Sequence, residues 1–128
     1  MEDYGKSEFA EQFRNRTKRF VIDIIHLYRL LPRSVEAQVI GKQLLRSASS
    51  VGANYRAACR GRSQADFYSK ICIVVEEADG SLFWLEILVE SQVIEWIKVS
   101  GLMMEAKEIL KVVSSARKTI ATKNQNNH

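Results

Sequence analysis

The sequence predicts an all-α protein, a single antiparallel up-down four-helix bundle. Three observations carry this. Apolar residues recur at spacings of three and four in four separate segments, the period of one helix face. One proline and six glycines in 128 residues leave few places for tight turns. A hydrophobic fraction of 46% beside 27% charged residues is enough for one packed core at this length and argues against general disorder.

In the first segment, expected at residues 8–31, the apolar face runs Phe9, Phe13, Phe20, Ile24, Leu27 and Leu31, with Thr17 filling the gap. Pro32 ends it, because the residue before a proline is pushed out of helical geometry. Ser34 then reads as a cap, followed by the acidic Glu36 in the first turn. The second helix, expected at 35–60, shows Ile40, Leu44, Ala48, Val51, Tyr55 and Ala58 on one face, and Gly61 suits a left-handed stop. Ser63 with Asp66 resembles a capping box opening the third helix at 64–91, whose stripe is Phe67, Ile71, Val74, Ala78, Leu82, Leu85 and Val89. The fourth, expected at 101–122, carries Leu102, Ala106, Ile109, Val113, Ala116 and Ile120. The link from Ser91 to Gly101 contains Ile94, Trp96, Ile97 and Val99 and is expected to pack on the bundle. The ending at 123–128 is polar and aperiodic, and is expected to fray.

The third helix carries more apolar surface than one core uses. At about 100° per residue, Ile73, Trp84 and Ile87 cluster with Gly80 on a face well away from the main stripe. This predicts an interface between copies of the chain; the alternative is that the following link covers it.

The net charge of +4 hides a strong separation. Residues 1–11 carry −3, residues 12–62 carry +9, residues 63–110 carry −6, and the remainder is basic again. On the second helix, Lys42, Arg46, Arg56 and Arg60 share a line through Ser49 and Ala53 that lies about 200° from the core stripe. Arg14, Lys18 and Arg19 of the first helix, with Arg62 in the turn, extend it into a patch. Guanidinium groups donate paired, planar hydrogen bonds that match phosphate, so Lys42, Arg46, Arg56, Arg60 and Arg62 are the candidate nucleic-acid-binding residues. No aromatic residue interleaves with that line, so contact with RNA or DNA would be to phosphate and weak in sequence preference. The alternative is that Glu76, Asp79, Glu86 and Glu90 of the third helix pair with this face.

Enzymatic chemistry has no constellation to rest on. There is no P-loop, no Gly-x-Gly-x-x-Gly, no Gly-x-Ser-x-Gly and no Glu-x-x-His pair for a di-iron centre. Cys59 and Cys72 read as buried thiols in a reducing cytosol. No cofactor or metal is expected, and no stretch is apolar enough for a membrane span. These features predict a non-enzymatic, cytoplasmic protein.

The string Gln43-Leu44-Leu45-Arg46-Ser47-Ala48-Ser49-Ser50-Val51-Gly52-Ala53-Asn54-Tyr55 is specific. It is followed by Ser63, Ala65-Asp66-Phe67, Lys70, Glu76-Glu77-Ala78-Asp79 and Phe83-Trp84-Leu85-Glu86. Together these closely resemble the bacterial four-helix-bundle family of proteins encoded in intervening sequences of 23S ribosomal RNA genes, related to accessory proteins of diversity-generating retroelements. The resemblance implies a homopentameric ring. Its retroelement relatives imply binding to nucleic acid and to a reverse transcriptase. Two positions depart from the family pattern: Ala57 stands where Glu is common, leaving the second helix more basic, and Gly80 replaces a larger polar residue. The expected function is therefore a homo-oligomeric accessory factor that holds RNA or DNA on a basic face, with a protein-interaction scaffold as the alternative.

Overall fold

The computed structural model describes residues 5–126, with side chains as far as residue 123. It contains four helices, α1 (Glu8–Leu30), α2 (Val35–Cys59), α3 (Gln64–Glu90) and α4 (Trp96–Asn126), and no strand among the described residues. Short corners make each helix antiparallel to the one before. α2 and α3 share the most extensive packing, whereas α1 and α4 meet along the thinnest seam. No described helix is long and apolar enough to cross a membrane.

Serine starts the first three helices. Ser7, Ser34 and Ser63 each accept, through Oγ, the amide of the residue three positions on, at 3.0, 3.3 and 3.1 Å. This satisfies one of the amides that a helix start leaves without a partner. The Asp66 carboxylate accepts the Arg62 amide at 3.3 Å, one residue earlier than in a full capping box.

The periodic stripes form the core. Phe20, Ile24, Leu44, Val51, Ile71, Val74, Leu85, Ile109 and Val113 are all essentially inaccessible. One stripe member falls outside: Phe9 is 60% exposed, and Ala10 takes the inward position. Phe9 instead stacks on the next member of the stripe, Phe13, with ring centroids 5.8 Å apart.

The helix ends correct the sequence reading in three places. Gly61 is not left-handed. It follows Arg60, whose amide closes the last turn of α2 onto Ala57 and Ala58. A side-chain carbon on Gly61 would lie 3.1 Å from the Ala58 carbonyl oxygen and 3.2 Å from Asp66 Cβ, so glycine serves the close approach of α2 to α3. The fourth helix starts at Trp96, inside the stretch expected to be a link, because Val99 and Met103 extend its buried stripe by a turn. Gly101, which looked like a boundary, lies within the helix on its outer side. The helix then runs to Asn126, into the ending expected to fray; residues 127–128 of that ending lie outside the described residues.

The left-handed residue among those described, glycines included, is Gln92, with φ of 64°. It ends α3 in a paired motif: the Gln92 amide donates to the Val89 carbonyl at 2.9 Å and the Val93 amide to the Leu88 carbonyl at 3.0 Å. Glycine is the residue with no steric penalty at this position. Gln92→Gly is therefore expected to raise the unfolding free energy by about 0.5–1 kcal/mol, read as a higher urea midpoint at unchanged m-value.

Candidate nucleic-acid interface

α1 and α2 pack closely at Gly52, where α2 has no side chain. A carbon on Gly52 would lie 2.9 Å from Val21 Cγ2 and 3.6 Å from the Thr17 carbonyl oxygen. Beside this crossing, the small residues Ser49, Gly52 and Ala53 leave a trough of about 700 Å³ between the two helices. Its cations are Lys6, Arg14, Lys18, Arg56 and Arg60, and no carboxylate lies among the described residues that line it. Lys18, Arg56 and Arg60 are exposed and Arg14 is half-buried.

Arg14 is fixed in this trough. Its guanidinium donates to the Gly5 carbonyl oxygen, and the neighbouring Cys59 is the main cause of a pKa raised above the ordinary arginine value. Cys59 and Tyr55 are both buried. The Tyr55 ring meets Phe13 edge to face at 4.8 Å. Burial, followed by the adjacent Cys59, pushes the Tyr55 phenol above its ordinary value of 10.0. The folded phenol therefore keeps a proton that the unfolded one gives up, and stability should fall as pH rises through that ordinary value. Tyr55→Phe is expected to flatten this slope when urea unfolding is compared between about pH 9 and pH 11.

The structure redistributes the candidate binding residues. The line from Lys42 through Arg46, Ser49, Ala53 and Arg56 to Arg60 is exposed along its whole length, away from the core. Arg56 and Arg60 line the trough; Lys42, Arg46 and Arg62 do not. Arg46 turns toward α3, where it donates to the Glu77 carboxylate at 2.8 Å and to Ser47 Oγ at 3.3 Å. Its carboxylate partner is thus Glu77, outside the acidic stripe expected to pair with the basic face. Arg62 is exposed in the α2–α3 corner, with its amide held by Asp66. Arg14 and Lys18, which sequence analysis treated as an extension, form the opposite wall. Their i, i+4 spacing on α1 was the available signal. Gly5 and Lys6 were missed, because they precede any periodic pattern.

The candidate interface residues on α3 are all partly buried. Trp84 packs against the core and meets Phe83 edge to face at 4.9 Å. Gly80 faces α2, where a carbon on it would stand 3.4 Å from Ser47 Oγ. Ile73 and Ile87 are half-buried. Large apolar side chains more exposed than these lie at two corners: Leu30, Val35 and Val39 at the α1–α2 corner, and Trp96 and Ile97 opening α4, between 51% and 79% exposed. In an up-down bundle those two corners share one end, opposite the basic trough.

The family profile described as 23S rRNA-intervening sequence protein matches residues 11–115. Among solved structures, the chain is similar to a protein of unknown function from the S23 ribosomal protein family of Bacteroides thetaiotaomicron. The two are 33% identical with a TM-score of 0.76, over 82% of this chain and 97% of that one. No curated protein matches.

Proposed function

The chain belongs to the 23S rRNA-intervening sequence protein family, and from its geometry we propose that it is a non-enzymatic homo-oligomer holding RNA or DNA by phosphate contacts in the α1–α2 trough. One observation carries this reading. Four cationic side chains from two helices, Arg14, Lys18, Arg56 and Arg60, converge on a concave surface whose described lining holds no carboxylate. Small residues on the floor let a phosphodiester backbone approach, and the missing aromatic residues leave bases unread. The compartment that fits this reading is the cytoplasm.

Self-association is supported by the opposite end of the bundle. There, Ile97, Gly101 and Met104 fall on one outward stripe of α4, with Ile97 74% and Met104 69% exposed. A carbon on Gly101 would meet nothing within 4 Å, so the chain itself gains nothing from a glycine that costs about 1 kcal/mol in a helix interior. A second copy packed closely against that stripe gives the glycine a use. A ring, pentameric by resemblance, would repeat the trough and convert weak phosphate contacts into avidity. The same apolar end favours the second reading, a protein-interaction scaffold, in which a partner such as a reverse transcriptase docks and no nucleic acid is held.

Titrating salt against binding of a single-stranded RNA separates the two. Four phosphate contacts predict a log–log slope of about −3. Absence of any retention at low salt removes the nucleic-acid reading and leaves the scaffold. Light scattering of the same samples should give a mass that is a multiple of the single chain; a strict monomer removes the ring.

A further inference from the structure

Charge in the α1–α2 trough is not spread evenly along it. Its cations, Lys6, Arg14, Lys18, Arg56 and Arg60, all line the half nearest the start of α1 and the end of α2. The other half is lined by the uncharged Val21, Ile22, Ser49, Gly52 and Ala53. The charged half is also the closed one. Gly5 is buried against the last turn of α2, so close that a side-chain carbon would lie 1.8 Å from the Cys59 carbonyl oxygen, and Ser7, just downstream, caps α1. The backbone of residues 5–7 therefore spans from one helix to the other at that end. Arg14 ties the span down by donating to the Gly5 carbonyl oxygen, which uses one of the several N–H donors of its guanidinium. Glu11 acts on Arg14 from the same helix but does not line the trough. The positive end of the α1 dipole and the negative end of the α2 dipole lie side by side there and offset one another, so the side chains set the field.

An internal stretch of nucleic acid presents single negative charges at regular intervals. A terminal phosphate monoester concentrates about −1.5 to −2 at one point and has no strand beyond it. A blind, densely cationic end followed by an uncharged half matches the second pattern. Along α2 the lining runs from Ser49 to Arg60, about 16 Å at the helical rise, which is room for the end of a strand and not for a long run of it. We propose that the trough receives the end of a nucleic-acid strand, its terminal phosphate seated between Arg14 and Arg60 beside Gly5, and its last sugar and base over Gly52 and Val21. Guanidinium groups from two helices then meet the phosphate oxygens with paired hydrogen bonds. Lys42, exposed on the same line of α2 about two turns beyond Ser49, continues the path for the strand as it leaves. The inference rests on the trough being a phosphate site and adds which phosphate it selects. A 5′ end, a 3′ end and a free nucleotide all offer this chemistry, and the experiment tells them apart.

The test uses the full chain and a short single-stranded RNA, labelled at an internal base, made with a 5′ phosphate, with a 3′ phosphate, and with hydroxyls at both ends. At low salt one phosphorylated form should bind about tenfold more tightly than the hydroxyl form, and the other no more than about twofold. Equal gains from the two phosphates mean general attraction; they overturn the seated end and leave the trough standing as a phosphate site. Arg60→Gln should abolish the tenfold preference, whereas Lys42→Gln should weaken the phosphorylated and hydroxyl forms alike. Both side chains are exposed, so neither variant endangers the fold. A preference that survives Arg60→Gln also overturns the seat. AMP carrying the matching 5′ or 3′ phosphate should compete only in large excess; competition at the concentration of the RNA itself makes a free nucleotide the ligand and overturns the strand end. No binding of any form at low salt overturns both this inference and the nucleic-acid reading.

Discussion

Arg56→Glu combined with Arg60→Glu is expected to lower affinity for single-stranded RNA at low salt by about a hundredfold, which is about 2.7 kcal/mol. These arginines form the α2 wall of the trough, one helical turn apart, and each reversal removes a phosphate contact and adds a like charge. The salt slope should become shallower by about two contacts. Both side chains are exposed, so the fold and the oligomer mass should be unaffected. Arg46→Glu is the informative contrast. Arg46 lies on the same exposed line of α2, but its guanidinium is held by Glu77. Reversing it sets two carboxylates against each other at the α2–α3 contact, so this variant should lose stability and keep most of its RNA affinity. Equal loss of RNA binding in the two cases would mean that the whole line, and not the trough, makes the contact.

Phe20→Ala is expected to cost about 3–5 kcal/mol of unfolding free energy, against less than about 1 kcal/mol for Phe9→Ala. Both residues fall on the periodic face of the first helix, yet Phe20 is 2% exposed and Phe9 is 60% exposed. Truncating Phe20 opens a cavity among side chains that cannot collapse fully, because the facing positions are themselves packed. Truncating Phe9 removes one stacked ring contact and exposes little else. With stabilities of about 5–15 kcal/mol for a domain of this kind, the Phe20 variant should show a large fall in urea midpoint or fail to fold. Similar costs for the two variants would indicate that Phe9 is covered in solution, as a contact between copies would bring about.

The sequence by itself determined the class of fold, the serine helix starts at Ser34 and Ser63, the stop before Pro32 and nearly every inward position. These depend on neighbours three and four residues away, and a helix repeats them at fixed angles. It also determined that Lys42, Arg46, Arg56 and Arg60 face away from the core. Which of these cations act together was decided by tertiary structure, because each depends on the helix alongside: α1 brings Arg14 and Lys18 to Arg56 and Arg60 across Gly52, whereas α3 brings Glu77 to Arg46. The start of α4 was hidden for the same reason. Trp96 to Gly101 has no decisive local signal, and only the burial of Val99 and Met103 against the other helices draws that segment into the helix. Periodicity records how a helix meets a core; contacts between distant segments follow from how the helices are arranged, and a single chain of letters does not carry that arrangement position by position.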